Sequence, residues 1–154
     1  MKTFVSYSTA QDHIIALRLQ TLAAVSGMTV YVPPATTRQT WNGVLLPEIQ
    51  KQLQESDMVL AVITHNPSQS AVNEMNTAVK LKRTLIPIVG ENVPLEYYSS
   101  FNPHFVVDTK DPSITEAKIV QFLGAKKQQE AATAGIVLGT LALALLLLLA
   151  SESK

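Results

Sequence analysis

The sequence predicts an α/β domain with a five-stranded parallel sheet and helices on both faces. Three observations carry this. Short β-rich apolar runs alternate with stretches whose apolar residues recur at helical spacing, and the links between them are short. That alternation implies parallel strands joined by right-handed crossovers. The third observation is Met58 to Ile63, MVLAVI, an unbroken apolar run of strand length. Such a run reads as a central strand covered on both faces.

Thr3 to Tyr7 reads as the first strand. Thr9-Ala10-Gln11-Asp12 is a capping box that opens a helix. Ile14, Ile15, Leu19, Leu22 and Val25 are its apolar positions, and Gly27 is its C′ stop. Met28 to Val32 is the second strand, halted by Pro33-Pro34, with a polar loop from Ala35 to Trp41. Asn42 to Glu55 is predicted helical, with Val44, Leu45, Ile49 and Leu53 on one side. The central strand then ends in the polar loop Thr64 to Gln69, where Pro67 cannot continue it. Ser70 is predicted as the N-cap of a helix to about Lys82. Thr84 to Val89 is the fourth strand and His104 to Val107 a short edge strand. A surface helix starts with Pro112 near its first turn and runs to about Gln129.

Composition narrows the function. The 154 residues suffice for one domain. There is no cysteine, so disulfides and thiolate metal sites are excluded. Formal charge is zero, which supplies no basic field for nucleic acid. No GxGxxG follows the first strand and no GxxxxGK[ST] occurs, which disfavours ordinary dinucleotide and P-loop binding. His13, His65 and His104 lack metal-ligand spacing, and no GxSxG supports a serine nucleophile.

Four pieces in order resemble the TIR (Toll/interleukin-receptor) domain in its short bacterial form. They are Phe4-Val5-Ser6-Tyr7-Ser8 with Asp12; Gly27 to Val32, with Pro33 to Trp41 in place of the BB loop; Ile49, Leu53 and Ser56 to Ile63; and Ser68, Val72-Asn73-Glu74 and Ala78 with Leu85-Ile86-Pro87-Ile88. The resemblance covers about residues 3–125 and implies a flavodoxin-like fold. It implies that residues 1–125 form a TIR domain that cleaves NAD⁺ as substrate without a cofactor, as an NAD⁺ glycohydrolase or ADP-ribosyl cyclase. Glu74 then matches the catalytic glutamate. A carboxylate there can stabilise the oxocarbenium-like ribose as nicotinamide leaves. Read from the residues alone, Glu74 is a carboxylate early in a helix, favoured by the dipole by about 0.3–1 kcal/mol.

Substrate-binding candidates are Tyr7, Ser8, Arg38, Trp41 and Ser70. Ser6, Tyr7 and Ser8 end the first strand, where polar groups meet ribose or phosphate; turn and cap chemistry is the alternative. Arg38 suits a pyrophosphate, or is a solvated loop residue. Trp41 stacks on a base, or anchors its loop. Ser70 stands where enzymatic family members often carry an aromatic. The resemblance further implies a homo-oligomer through TIR–TIR contacts, other TIR or defence proteins as partners, and a role against phage. The alternative is a non-catalytic TIR scaffold in signalling.

Residues 131–150, AATAGIVLGTLALALLLLLA, carry no charge. As a helix they would span about 30 Å, the thickness of a bilayer's hydrocarbon core. The sequence predicts a transmembrane helix there, after a basic juxtamembrane linker at 126–130 and before a short tail at 151–154. Lys126 and Lys127 precede the span, so the positive-inside rule predicts a tail-anchored protein with its domain in the cytoplasm and the lipid bilayer as a partner.

Overall fold

The computed structural model describes residues 1–35 and 44–133, with side chains to residue 130. Five parallel strands, β1 (Lys2–Tyr7), β2 (Thr29–Tyr31), β3 (Met58–Ile63), β4 (Thr84–Gly90) and β5 (Phe105–Val107), form one sheet in the order β2-β1-β3-β4-β5. This is the flavodoxin-like order, in which the strand sequence reverses between β1 and β3. The helices are α1 (Ala10–Val25), α2 (Pro47–Glu55), α3 (Gln69–Lys80) and α4 (Ser113–Thr133).

Two apolar cores lie on the two faces. On one, Val5, Leu60, Ile86 and Ile88 pack against Ile15 and Leu19 of α1 and Ile119 and Leu123 of α4. On the other, Phe4 and Val59 meet Ile49 and Leu53 of α2 and Ala78 of α3. Alternate residues of β1 and β3 thus feed opposite layers, as strand geometry requires. The sequence spacing of α1 is only half realised. Ile15 and Leu19 are buried, but Ile14, Leu22 and Val25 are exposed.

The ends of α1 follow its sequence. Thr9 and Asp12 form a reciprocal capping box. At the other end Gly27 has φ 73°, and Met28 N–H bonds Ala23 O at 2.9 Å while Gly27 N–H bonds Ala24 O at 3.0 Å. That is a Schellman stop, which needs a left-handed residue at C′. The other starts differ from expectation. α2 begins at Pro47, not Asn42; Val44 to Leu46 lie before it and residues 42 and 43 lie outside the described residues. A proline favours the first helical position and disfavours helix in the residue before it. α3 is capped by Ser68, whose side chain accepts from Ala71 N–H at 3.2 Å, not by Ser70.

Residues 126–130, expected to form a linker, continue α4. Lys127 Nζ donates to Gly27 O, and the N-terminal ammonium lies 3.6 Å from Glu130. Burial pushes the Lys126 amine down, with Glu130 opposing it. Among the described residues no helix is long and apolar enough to cross a membrane. The expected span at 131–150 lies outside the described residues except for 131–133, which continue α4. The expected tail anchor thus has no counterpart among the described residues, and the segment expected to lead into it is docked on the domain.

Candidate functional site

The C-terminal ends of β1 and β3, where the strand order reverses, are the place where open α/β sheets hold ligands. A hollow of about 320 Å³ opens there. Tyr7 and Ser8 enter it from the end of β1, Thr9, Ala10 and His13 from the start of α1, and Ser68 and Ser70 from the start of α3. The local sequence explains the convergence. β1 and β3 are neighbours in the sheet, so the helices that follow them begin side by side. Ser8 Oγ accepts from Ser68 N–H at 3.1 Å and ties the two turns together.

The walls are held from outside the hollow. Tyr7 and His13 stack, with ring centroids 4.3 Å apart and planes 8° apart. Tyr7 OH donates to Pro33 O at 2.6 Å, which fixes the ring against the β2 turn. Asp12 is fully buried and joins the start of α1 to the end of β3. Its carboxylate accepts from Thr9 N–H, from Thr64 N–H and from the Thr64 hydroxyl. The first N–H groups of any helix have no acceptor within it. Here two such ends, both with their third amide already capped, face one hollow.

Glu74 stands behind this hollow and does not line it. It is 1% exposed and accepts from Ser6 Oγ at 2.7 Å, with Ser6 also buried. Because α3 begins at Gln69, Glu74 is in its second turn, and α3 has no acidic residue in the first. The dipole account of Glu74 therefore fails, since that effect fades within the first turn. Ala71, Glu74 and Ala78 form the buried stripe of α3, so the carboxylate points at the sheet. Tyr31 lies within its field: burial raises the phenol above its ordinary 10.0, and Glu48, Glu74 and Tyr7 raise it further.

Of the expected site residues, Tyr7, Ser8 and Ser70 come together, with Glu74 adjacent and buried. Arg38 and Trp41 lie outside the described residues. Sequence reasoning missed His13 and Ser68 as lining residues. His13 is the residue after the capping box, and Ser68 follows Pro67 at the helix start, so both had a positional signal.

No family model matches the chain, and no curated protein matches it. Among solved structures it is similar to the crystal structure of a putative quinone reductase from Klebsiella pneumoniae, at 10% identity and a TM-score of 0.47, over 87% of this chain and 85% of that one. The resemblance to TIR domains is not upheld by these comparisons. Nor do they uphold what it implied: NAD⁺ glycohydrolase or cyclase activity, NAD⁺ as a substrate needing no cofactor, the antiviral role and the TIR scaffold alternative. The residues that carried the resemblance have duties that this topology itself imposes. Phe4 and Val5 are core, Asp12 is a cap and clasp, Gly27 ends α1, and Ser68 starts α3.

Proposed function

We propose that this chain is a small-molecule-binding α/β domain that takes a phosphorylated sugar, or a phosphate ester of similar size, at the reversal between β1 and β3. One observation carries the reading: the N-termini of α1 and α3 open into the same hollow. Helix N-termini present amide donors and partial positive charge to an anion. The volume of about 320 Å³ suits a single sugar ring with its phosphate. The half-buried His13 ring, backed by the buried Tyr7 ring, offers a face for the sugar, and the hydroxyls of Ser8 and Ser70 lie in the lining. Ser6 and Glu74 act here as positioning residues that fix the end of β1.

The test is calorimetric titration with D-ribose 5-phosphate, beside D-ribose and inorganic phosphate, on wild type and Ser70→Glu. Saturable binding of the ester, weaker binding of phosphate and none of ribose is the expected result. A carboxylate at residue 70 repels the anion and weakens the ester at least about tenfold. The same carboxylate favours the helix start, so the variant folds as well as wild type. An ester that does not bind, or binds Ser70→Glu unchanged, refutes the proposal.

A further inference from the structure

A larger cavity, of about 560 Å³, lies on the α2/α3 face of the sheet and is separate from the phosphate site. Among the described residues, the segment that follows β4, rather than an α-helix, closes this end of the sheet. Val59, Ala61 and Ile63 of β3 pair in register with Leu85, Pro87 and Val89 of β4. Val59 and Leu85 are packed into the α2/α3 core. Further along the strands, Ala61 and Pro87 form a low floor of the cavity. The roof is the segment around the 3-10 turn Leu95–Tyr97, which contributes Tyr97, Tyr98 and Phe101.

That roof is braced. Tyr98 meets His104 edge-on at 4.9 Å, and His104 Nδ1 lies 2.7 Å from Phe101 O. Tyr97, by contrast, is 69% exposed at the rim. An apolar floor facing aromatic walls suits a flat apolar ligand, because rings gain from stacked and edge-on contact beyond area burial.

The mouth adds direction. His65 lines it, and His65 Nδ1 lies 3.0 Å from Thr64 Oγ1. The Thr64 hydroxyl has one proton, and it is given to the buried Asp12 carboxylate. Thr64 Oγ1 must therefore accept from His65 Nδ1–H. In the neutral ring this leaves Nε2 as an acceptor. A ligand that donates from one edge is complementary to it.

We propose that this cavity is a second binding site, for a flat aromatic alcohol or phenol of one to two fused rings, with its rings between the β3–β4 floor and the Tyr97–Phe101 roof and its hydroxyl donating to His65. The site does not depend on the phosphate reading. The probe is 2-naphthol, followed by its own fluorescence, beside 2-methoxynaphthalene, which cannot donate. Wild type is expected to bind 2-naphthol at a single saturable site, about fivefold tighter than the ether, as one net hydrogen bond allows. His65→Phe is expected to erase that preference. Ala61→Leu, which raises the floor, is expected to weaken both probes at least about tenfold. Tyr97→Ala changes an exposed residue and keeps the fold, so weaker binding there confirms the roof even where Ala61→Leu fails to fold. Ser70→Glu is expected to bind 2-naphthol as wild type does, whatever it does to ribose 5-phosphate. No saturable binding, equal affinity for the two probes, or binding untouched by Tyr97→Ala overturns the proposal.

Discussion

Removing the Ser6 hydroxyl tests the buried heart of the sheet. Ser6 Oγ donates to Glu74 Oε1 at 2.7 Å, and the two residues are 0% and 1% exposed. A hydrogen bond to a charged group contributes about 1.5–3 kcal/mol net, and a carboxylate losing a donor in a dry site cannot recover it from water. Serine is small, so the void left by Ser6→Ala adds little. We expect a loss of about 2 kcal/mol. With a urea slope of about 2 kcal/mol per M, the unfolding midpoint falls by about 1 M. Glu74→Gln keeps the shape and an acceptor oxygen for Ser6 while removing the charge. Relief from desolvation offsets the weaker bond, so this variant is expected within about 1 kcal/mol of wild type. The assay is urea unfolding followed by circular dichroism. A Ser6→Ala loss below about 0.5 kcal/mol would show Glu74 reaching solvent and would refute the reasoning. Glu74→Gln also removes one of the charges that raise Tyr31. Its phenol is expected to titrate nearer the ordinary 10.0, read from tyrosinate absorbance.

Three further outcomes follow from particular residues. Arg18 Nε holds Glu116 Oε2 at 2.9 Å, and the Glu116 side chain is 0% exposed while Arg18 is 52% exposed. Among the described residues Glu116 Oε1 has no hydrogen-bond partner, so Arg18→Ala is expected to cost about 2 kcal/mol by thermal or urea unfolding, reduced from the fully buried case by the exposed guanidinium. Lys82 has φ 56° where α3 stops, and Lys82→Gly is expected to raise stability by about 0.5–1 kcal/mol, since a left-handed residue with a Cβ is strained and glycine's extra unfolded-state entropy cancels part of the gain. The raised Tyr31 phenol favours the folded state below pH 10.0, and that contribution is lost as pH rises through the folded value; Tyr31→Phe is therefore expected to make the alkaline limb of a stability-versus-pH curve shallower.

Much of the fold was legible because its signals are local. The run Met58–Ile63 is β3 residue for residue, and the capping box at Thr9 and the stop at Gly27 act within a few residues of themselves. The misplaced starts also had local causes. Pro47 sets the beginning of α2, and Pro67-Ser68 sets that of α3 two residues before Ser70. The stop of α3 was hidden because Lys82, not glycine, takes the left-handed position, with Arg83 N–H bonding Ala78 O at 2.9 Å. The exposed apolar residues of α1 defeated its periodicity: the helix is apolar on more of its circumference than the sheet and α4 cover.

By itself, the sequence determined an alternating α/β chain, its central strand, its main caps and the absence of thiol chemistry, since these depend on residue type and near neighbours. Only the tertiary structure decided that Ser6 and Glu74, 68 residues apart, share a buried hydrogen bond. It also brought two helix starts to one hollow and left the end of β4 open beneath an aromatic roof. Those features come from strand order and register, which bring distant segments together; a local pattern specifies how each segment folds but not which segment lies beside it.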